Sequence, residues 1–444
     1  MGAAMQKYEC NVLVAGGGTA GAFAALAAAR TGADTILMES AQSLGGQLCA
    51  GMGAAGAHDA QGHTAVAGLL AELEGRVRAF GAGPGYVYGP RGDRWVPSML
   101  LAHPVKLEAL LSGMLQEAGV RLLFQAPVCG ARMEEGRIRA VRASFMGETH
   151  EVAAQAFVDC TGDAVLGKLS GAECFAGDGD GRFQSVSMVF SLGNVGLPDF
   201  ERYMNEVVNC DGRPRWELSN CATRGCLGQY WLPWKFSPER ARLPGTIGVY
   251  WFGNEGELFF DVTHLELDCL DPFAVSEGIV RLRAQAQAVL DFLRRSVPGF
   301  ERAYLSFFAP LGIRESRRIA GQYVMKAEDL CGERSFPDEV CRGAYPPDVH
   351  RGEGEVDIAT DRTYNYGIPL RALVSRDVGN LLMAGRCLSA ESGAAFGLRG
   401  MAVCAATGQA AGTAAALAAG EGIEPKKYPA GRVQKALRAA GAVI

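Results

Sequence analysis

The chain has 444 residues, with 43 Lys and Arg against 48 Asp and Glu and a net charge of −5. That length is ample for a buried core and suggests about two to three domains, while the mild acidic balance argues against nucleic acid or a polybasic membrane contact. Glycine is the outlier: its 59 residues are nearly twice the ordinary share of about 7%. They are neither periodic nor low-complexity, which points to places where backbone must come close to something. The 13 Cys are scattered, odd in number and free of CxxC pairs, which predicts reduced thiols and a cytoplasmic setting. The N-terminal segment lacks the charged start of a secretory leader. The uncharged stretch from Met401 to Gly420 is mostly Ala, Gly, Thr and Cys and carries Gln409. It reads as a tightly packed core helix rather than a membrane span.

In chain order, Cys10–Ala15 is a short apolar strand running into Gly16-Gly17-Gly18. An Ala-rich helix pattern follows from Thr19 to Arg30, then a second strand, Thr35–Glu39. Together they make a βαβ unit in about 30 residues. Helices are predicted over His63–Phe80 and Pro104–Glu117. Strands are predicted over Arg121–Phe124, Val128–Met133, Arg137–Ser144 and Ala156–Cys160, with a hairpin at Glu135-Gly136. The middle changes texture: Gln184–Leu192, Thr246–Phe252 and Glu257–Val262 read as antiparallel strands, and all but two of the five Trp lie between Cys210 and Pro244. Ser276–Ser296 is a strong amphipathic helix, and Asp329–Thr363 reads as a long polar loop. A strand, Asn380–Ala384, a turn, Gly385-Arg386, and a small-residue helix, Gly400–Ala419, close the pattern.

Gly16-x-Gly18-x-x-Gly21 follows a strand and opens a helix. The first Gly permits the tight turn, the second lets pyrophosphate approach the backbone N–H groups, and the third lets helix pack on strand. Thr19 and Ala20 occupy the helix start, and Glu39 closes the next strand, where a carboxylate accepts from ribose hydroxyls. Ser40 follows it. The context predicts a bound dinucleotide. Further small-residue turns at Gly45-Gly46-Gln47, Thr161-Gly162-Asp163 and Gly385-Arg386 suit a long ligand gripped at its far end by the C-terminal quarter. FAD is such a ligand.

At these residues the chain resembles the FAD-dependent oxidoreductase family with a glutathione-reductase-type flavin domain, distantly related to fumarate reductase and succinate dehydrogenase flavoproteins. The matching segments are VLVAGGGTAGAFAALAAARTGADTILMES, SLGGQ, AFVDCTGDAVLGKLSGA, IRESRRIAGQYVMKAEDL and NLLMAGRCLSAESGAAFGLRGMAVCAATGQAAGTAAALAA. The resemblance implies an α/β fold: a Rossmann-like FAD-binding domain on a parallel sheet, discontinuous over 8–185 plus 355–444. An inserted α+β substrate domain containing an antiparallel sheet would span 186–354. It further implies that Val128 meets adenine through its backbone and that Gly385-Arg386 approaches the pyrophosphate. Leu398, Arg399, Gly400 and Met401 would face the O2 side of the isoalloxazine, where a helix N-terminus stabilises negative charge.

There is no second GxGxxG with its own βαβ unit, which argues against a built-in NAD(P)H domain. No Cys ladder suits an iron–sulfur cluster, and Cys210, Cys221 and Cys226 lack a His partner for zinc; no metal is expected. His58 and Cys49 fall on the loop where some relatives attach flavin covalently, but neither aligns, so noncovalent FAD is favoured. For chemistry, the run Arg314-Glu315-Ser316-Arg317-Arg318 offers either anion recognition by Arg314 and Arg317 or an ion-pair hub between domains. His58, His63, Tyr364 and Tyr366 are the remaining acid–base candidates. The expected activity is hydride transfer between flavin N5 and a small organic substrate bearing a carboxylate or carbonyl. Reduction of an activated C=C bond fed by a separate electron donor, or flavin monooxygenation, are the alternatives, as is a non-catalytic FAD-holding subunit. A homo-oligomer or an electron-transfer partner is compatible with each.

Overall fold

The computed structural model describes residues 6–88, 97–203, 243, 248–253, 256–331, 334–352, 355–359 and 361–444. Its centre is a five-stranded sheet ordered Leu381–Met383, Ala156–Asp159, Val12–Ala15, Thr35–Met38, Arg121–Leu123. Every pairing in it is parallel. These strands read as unbroken apolar runs because both faces are covered: Val12, Val14 and Leu37 pack with helices, whereas Leu13, Ile36 and Phe157 pack with Ile138, Val141 and Val152 of a second sheet. Ala15 stands in register with Met38 and Asp159, and Asp159 with Met383. Gly16, Glu39, Cys160 and Ala384 therefore emerge side by side from one edge, the carboxyl edge at which open α/β sheets place ligands.

Two helices bury one face of that sheet, Thr19–Arg30 and Met401–Glu421. They approach closely because the second presents glycines to the first. A Cβ on Gly408 would lie 2.2 Å from the Ala20 carbonyl oxygen, and one on Gly412 2.0 Å from that of Ala24. The helix Met401–Glu421 is long and apolar enough to cross a membrane, yet 89% of its most apolar window is buried inside the protein. It is a core helix.

Beside this layer lies a four-stranded sheet, Lys7–Glu9, Glu148–Ala153, Arg137–Phe145 and Val128–Glu134. Its hairpin turns at Glu135 and Gly136, both at positive φ (52° and 71°), as a two-residue I′ turn requires. A second four-stranded antiparallel sheet orders Gly248–Tyr250, Leu258–Asp261, Phe190–Gly193 and Tyr304–Phe308. Helix Pro272–Ser296 covers it, burying Leu282, Val289, Leu290 and Leu293. Asp271 caps this helix by accepting from the Phe273 N–H at 2.8 Å.

Several expected boundaries move. The helix expected from His63 begins at Leu69, because Gly62 and Gly68 sit at φ of 87° and 61° and hold the preceding residues out of helical geometry. The segment read as a loop over Asp329–Thr363 contains strands Glu339–Gly343, Asp348–Arg351 and Glu355–Ile358; short two-stranded pairings without strong apolar alternation left no periodic signal. That last hairpin straddles residue 354. Met325, Leu330, Phe336, Val340 and Cys341 pack in the same core as the Thr19–Arg30 helix, so the chain rejoins the main core well before 354. Cys210, Cys221, Cys226 and the Trp-rich segment lie outside the described residues.

Candidate active site

A cavity of about 590 Å³ runs along the carboxyl edge of the parallel sheet and into the antiparallel one, within the usual range for small-molecule sites. Gly16, Gly18, Thr19, Ala20, Glu39, Ser40, Gly46 and Gln47 line it. So do Val128, Thr161, Gly162, Asp163, Gly385, Arg386, Arg399, Gly400 and Met401. Gly21, Gly45 and Leu398 do not. Gly21 serves packing, since a Cβ there would fall 1.7 Å from the Gly16 carbonyl oxygen. Gly45 holds the loop against the turn: its N–H donates to the Gly17 carbonyl at 2.9 Å, and its carbonyl accepts from Thr19 Oγ1 at 2.9 Å. Leu398 is buried in the core.

The first turn fits a diphosphate. Gly18 is the N-cap of Thr19–Arg30 without a side-chain cap, which leaves first-turn N–H groups for a ligand. A Cβ on Gly18 would meet nothing within 4 Å, although the residue lines the cavity. Space is therefore kept in front of the helix end. Glu39 is fixed as an acceptor at the next strand end, taking the Gly17 N–H at 2.5 Å and the Ala41 N–H at 2.7 Å. At the other end Arg386 pairs with Asp163 at 2.8 Å and donates to Ser316 Oγ at 2.6 Å. Asp159 holds the adjoining turn by accepting from the Thr161 and Gly167 N–H groups, each at 2.9 Å.

The 314–318 run divides. Arg314 is buried, lines the cavity and donates Nη1 to the Ser185 carbonyl at 2.8 Å. Its other N–H donors make no hydrogen bond among the described residues. Arg318 and Glu315 are each 3% exposed and paired at 2.6 Å. Arg318 also donates to the Ala390 and Gly177 carbonyls, and Glu315 accepts from Ser392 Oγ. That pair is a buried hub. Arg317, on strand Arg317–Ile319, is half-buried and outside the cavity lining. Strand alternation sends it to the face opposite Arg318, so its expected place at the substrate is corrected.

The other expected acid–base groups also stand elsewhere. Tyr366 is fully buried and its hydroxyl donates to the Tyr345 and Gly397 carbonyls, each at 3.1 Å. His58 lies against Ser98 at 2.7 Å between the Tyr86 and Tyr88 rings. His63 is mostly exposed and pairs with Asp59. Tyr364 contacts Asp361. None of the four lines the cavity. Neither His58 nor Cys49 does either, in keeping with a noncovalent flavin.

In their place the fold gathers Tyr250, Asp261, Tyr345, Asp348 and His350 around Arg314 and Arg399, all in the cavity lining. Asp348 accepts from Arg399 Nη2 at 2.5 Å and from the Tyr345 hydroxyl at 3.0 Å, and its Oδ2 lies 2.9 Å from His350 Nε2. His350 Nδ1 lies 3.1 Å from His264 Nε2. Despite burial, Arg399 and His350 hold the Asp348 carboxyl well below its usual range. Burial keeps Asp261 above its usual value, against the pull of Arg314. The segments carrying these residues read as a loop and as an ordinary strand. The Asp-x-His spacing at 348–350, which puts both side chains on one face of a strand, was the available signal.

Burial, reinforced by Arg314, pushes His264 down to about 2 and His350 down to about 3 from an ordinary 6.5. Both folded values lie below the unfolded one, so the unfolded chain takes up protons first as pH falls. Their stabilising contribution is complete above about pH 6.5 and declines as pH falls towards the folded values. Each imidazole adds up to about 1.4 kcal/mol per pH unit to that slope. Denaturant titrations from pH 7 to 5 should show wild type losing stability more steeply than His264→Gln. Parallel slopes would mean the imidazole is not held neutral.

The profile of the FAD dependent oxidoreductase family matches residues 11–437. The chain belongs to that family. It is a flavoenzyme whose cofactor is FAD. No curated protein matches it. Among solved structures it is similar to a geranylgeranyl bacteriochlorophyll reductase-like protein from Thermoplasma acidophilum, at 14% identity and a TM-score of 0.48, over 98% of this chain and 83% of that one. It is also similar to p-nitrophenol 4-monooxygenase from Pseudomonas putida, at 12% identity and a TM-score of 0.45, over 95% and 83%. A flavin-dependent brominase gives 13% identity and a TM-score of 0.44, over 96% and 83%.

Proposed function

We propose that this enzyme transfers hydride between flavin N5 and a small organic substrate carrying a carboxylate or carbonyl group. The observation that carries the reading is the continuity of one cavity. It joins the Gly16–Gly18 turn and Glu39 to a buried arginine, Arg314, with donors left over for a ligand. In this reading Gly16, Gly18, Thr19 and Ala20 take the pyrophosphate on backbone N–H groups, and Glu39 takes the ribose. Val128 adjoins adenine, and Arg399, Gly400 and Met401 lie beside the isoalloxazine O2. FAD supplies the electron-pair acceptor. The chain supplies anchoring through Arg314 and proton transfer from the surrounding carboxyl, imidazole and phenol groups.

Residues 8–185 and 355–444 belong to the flavin domain in this reading, joined by the stretch from Met325 that packs in the same core, with the substrate domain inserted ahead of it. A cytoplasmic setting is part of it too, supported by ten described cysteines that are all unpaired. The test is anaerobic mixing with candidate metabolites. A substrate of the stated kind should bleach the flavin stoichiometrically, and NAD(P)H alone should do so poorly, because the one dinucleotide turn is filled by FAD. Rapid bleaching by NADPH at micromolar levels, followed by oxygenated product in air, would favour monooxygenation. Reoxidation of pre-reduced enzyme by an activated alkene, with no donor substrate found, would favour the C=C reductase and require a separate electron-transfer partner.

A further inference from the structure

Asp261 and Arg314 come from separate segments but are clamped to the same one. Arg314 Nη1 donates to the Ser185 carbonyl at 2.8 Å, and Asp261 ends the strand that pairs with Phe190–Leu192, just beyond Ser187. Gly312 and Ser187 exchange backbone hydrogen bonds of 2.7 and 3.1 Å that fix the two approaches. Asp261 is 3% exposed, and its Oδ1 is buried with no hydrogen-bond partner among the described residues. A buried carboxylate oxygen left unpaired costs free energy that a ligand's donor would recover. Both residues line the cavity. The site thus offers an arginine with spare donors and, near it, a carboxylate with a spare acceptor.

We propose that the substrate is a 2-hydroxycarboxylate, its carboxylate bound by Arg314 and its hydroxyl proton accepted by Asp261. The inference rests on the hydride-transfer reading above. In the oxidation, the C2–H bond breaks and its hydrogen leaves with the electron pair to FAD. The O–H bond breaks with its proton passing to Asp261, and the C=O bond forms. The substrate loses two electrons and two hydrogens; FAD is reduced by the pair, and Asp261 ends as a neutral carboxylic acid. Burial favours that neutral form. A hydroxyl suits the place better than an ammonium, because two guanidiniums, those of Arg314 and Arg399, face Asp261 together with the Asp348 carboxylate. Two guanidiniums disfavour a third cation.

Calorimetric titration of the FAD-loaded protein with oxalate, in buffers of different ionisation enthalpy, separates the two roles without turnover. Wild type should bind oxalate with proton uptake, Arg314→Gln should bind it about thirtyfold more weakly, and Asp261→Asn should bind it with the uptake abolished. Asp261→Asn should also slow anaerobic bleaching by the best of glycolate, lactate, malate and mandelate by about a hundredfold or more. Proton uptake unchanged in Asp261→Asn would overturn the assignment. Should that variant not fold, the wild-type screen decides. Bleaching by amines or plain alcohols but by no hydroxycarboxylate overturns the substrate class and leaves hydride transfer standing. Bleaching that occurs only with NADPH and consumes dioxygen overturns hydride transfer itself, and this inference with it.

Discussion

Gly18→Val is expected to give a folded, colourless protein. Gly18 sits at φ −63° and ψ −169°, which any residue adopts, and its Cβ would meet nothing within 4 Å. The fold has little to lose, so apo stability should move by about 1 kcal/mol or less. The valine methyls would stand in the open part of the cavity, at the uncapped helix end where the pyrophosphate must approach. Displacing it should weaken FAD binding at least about a thousandfold, roughly 4 kcal/mol. Gly21→Val makes the contrast, because its Cβ would fall 1.7 Å from the Gly16 carbonyl oxygen and the fold itself should fail. Visible absorbance and the melting curve of the apoprotein read both results. A yellow Gly18→Val protein would place the diphosphate elsewhere.

Arg314→Lys and Arg318→Met should fail in opposite ways. Among the described residues Arg314 makes one hydrogen bond, to the Ser185 carbonyl, which an ammonium can supply. The variant should keep its flavin and its melting point. An ammonium cannot hold a carboxylate in a planar fork, so turnover should fall about thirtyfold or more. Arg318→Met leaves Glu315 charged and buried, with Ser392 as its remaining side-chain donor. Breaking a buried pair from one side costs about 3–5 kcal/mol, and the variant should melt early whether or not substrate is present. Equal loss of stability in both would make Arg314 part of the hub.

What the sequence revealed about the site follows from how each part is built. The end of the cavity along the parallel sheet, where the flavin is proposed to bind, was legible because much of it is made of backbone. Gly16, Gly18, Glu39, Gly46, Gly162 and Gly385 occur in short segments that follow apolar strands, and all six line the cavity. The parallel sheet was legible for the same reason, since its strands are continuous apolar runs. The other end of the cavity, proposed for the substrate, is made of side chains brought together from afar. Asp261 closes an antiparallel strand, Arg314 follows an isolated bridge at Gly312, and Asp348 and His350 lie on a two-stranded hairpin. No local pattern links 261, 314 and 348, and charge density alone singled out Arg314, which lines the cavity, together with Arg317, which does not. Arg317 shares its run with Arg314, and it takes the alternation of Arg317–Ile319 to separate them.

Reconstitution with 5-deaza-FAD tests the central claim most directly. With carbon in place of N5, that flavin still accepts a hydride but neither activates dioxygen nor passes single electrons readily. The substrate that bleaches the native enzyme should also bleach the deazaflavin enzyme anaerobically, with deuterium from the substrate's reacting C–H recovered on the deazaflavin ring. A deazaflavin enzyme that binds its cofactor and substrate but is never reduced would contradict hydride transfer.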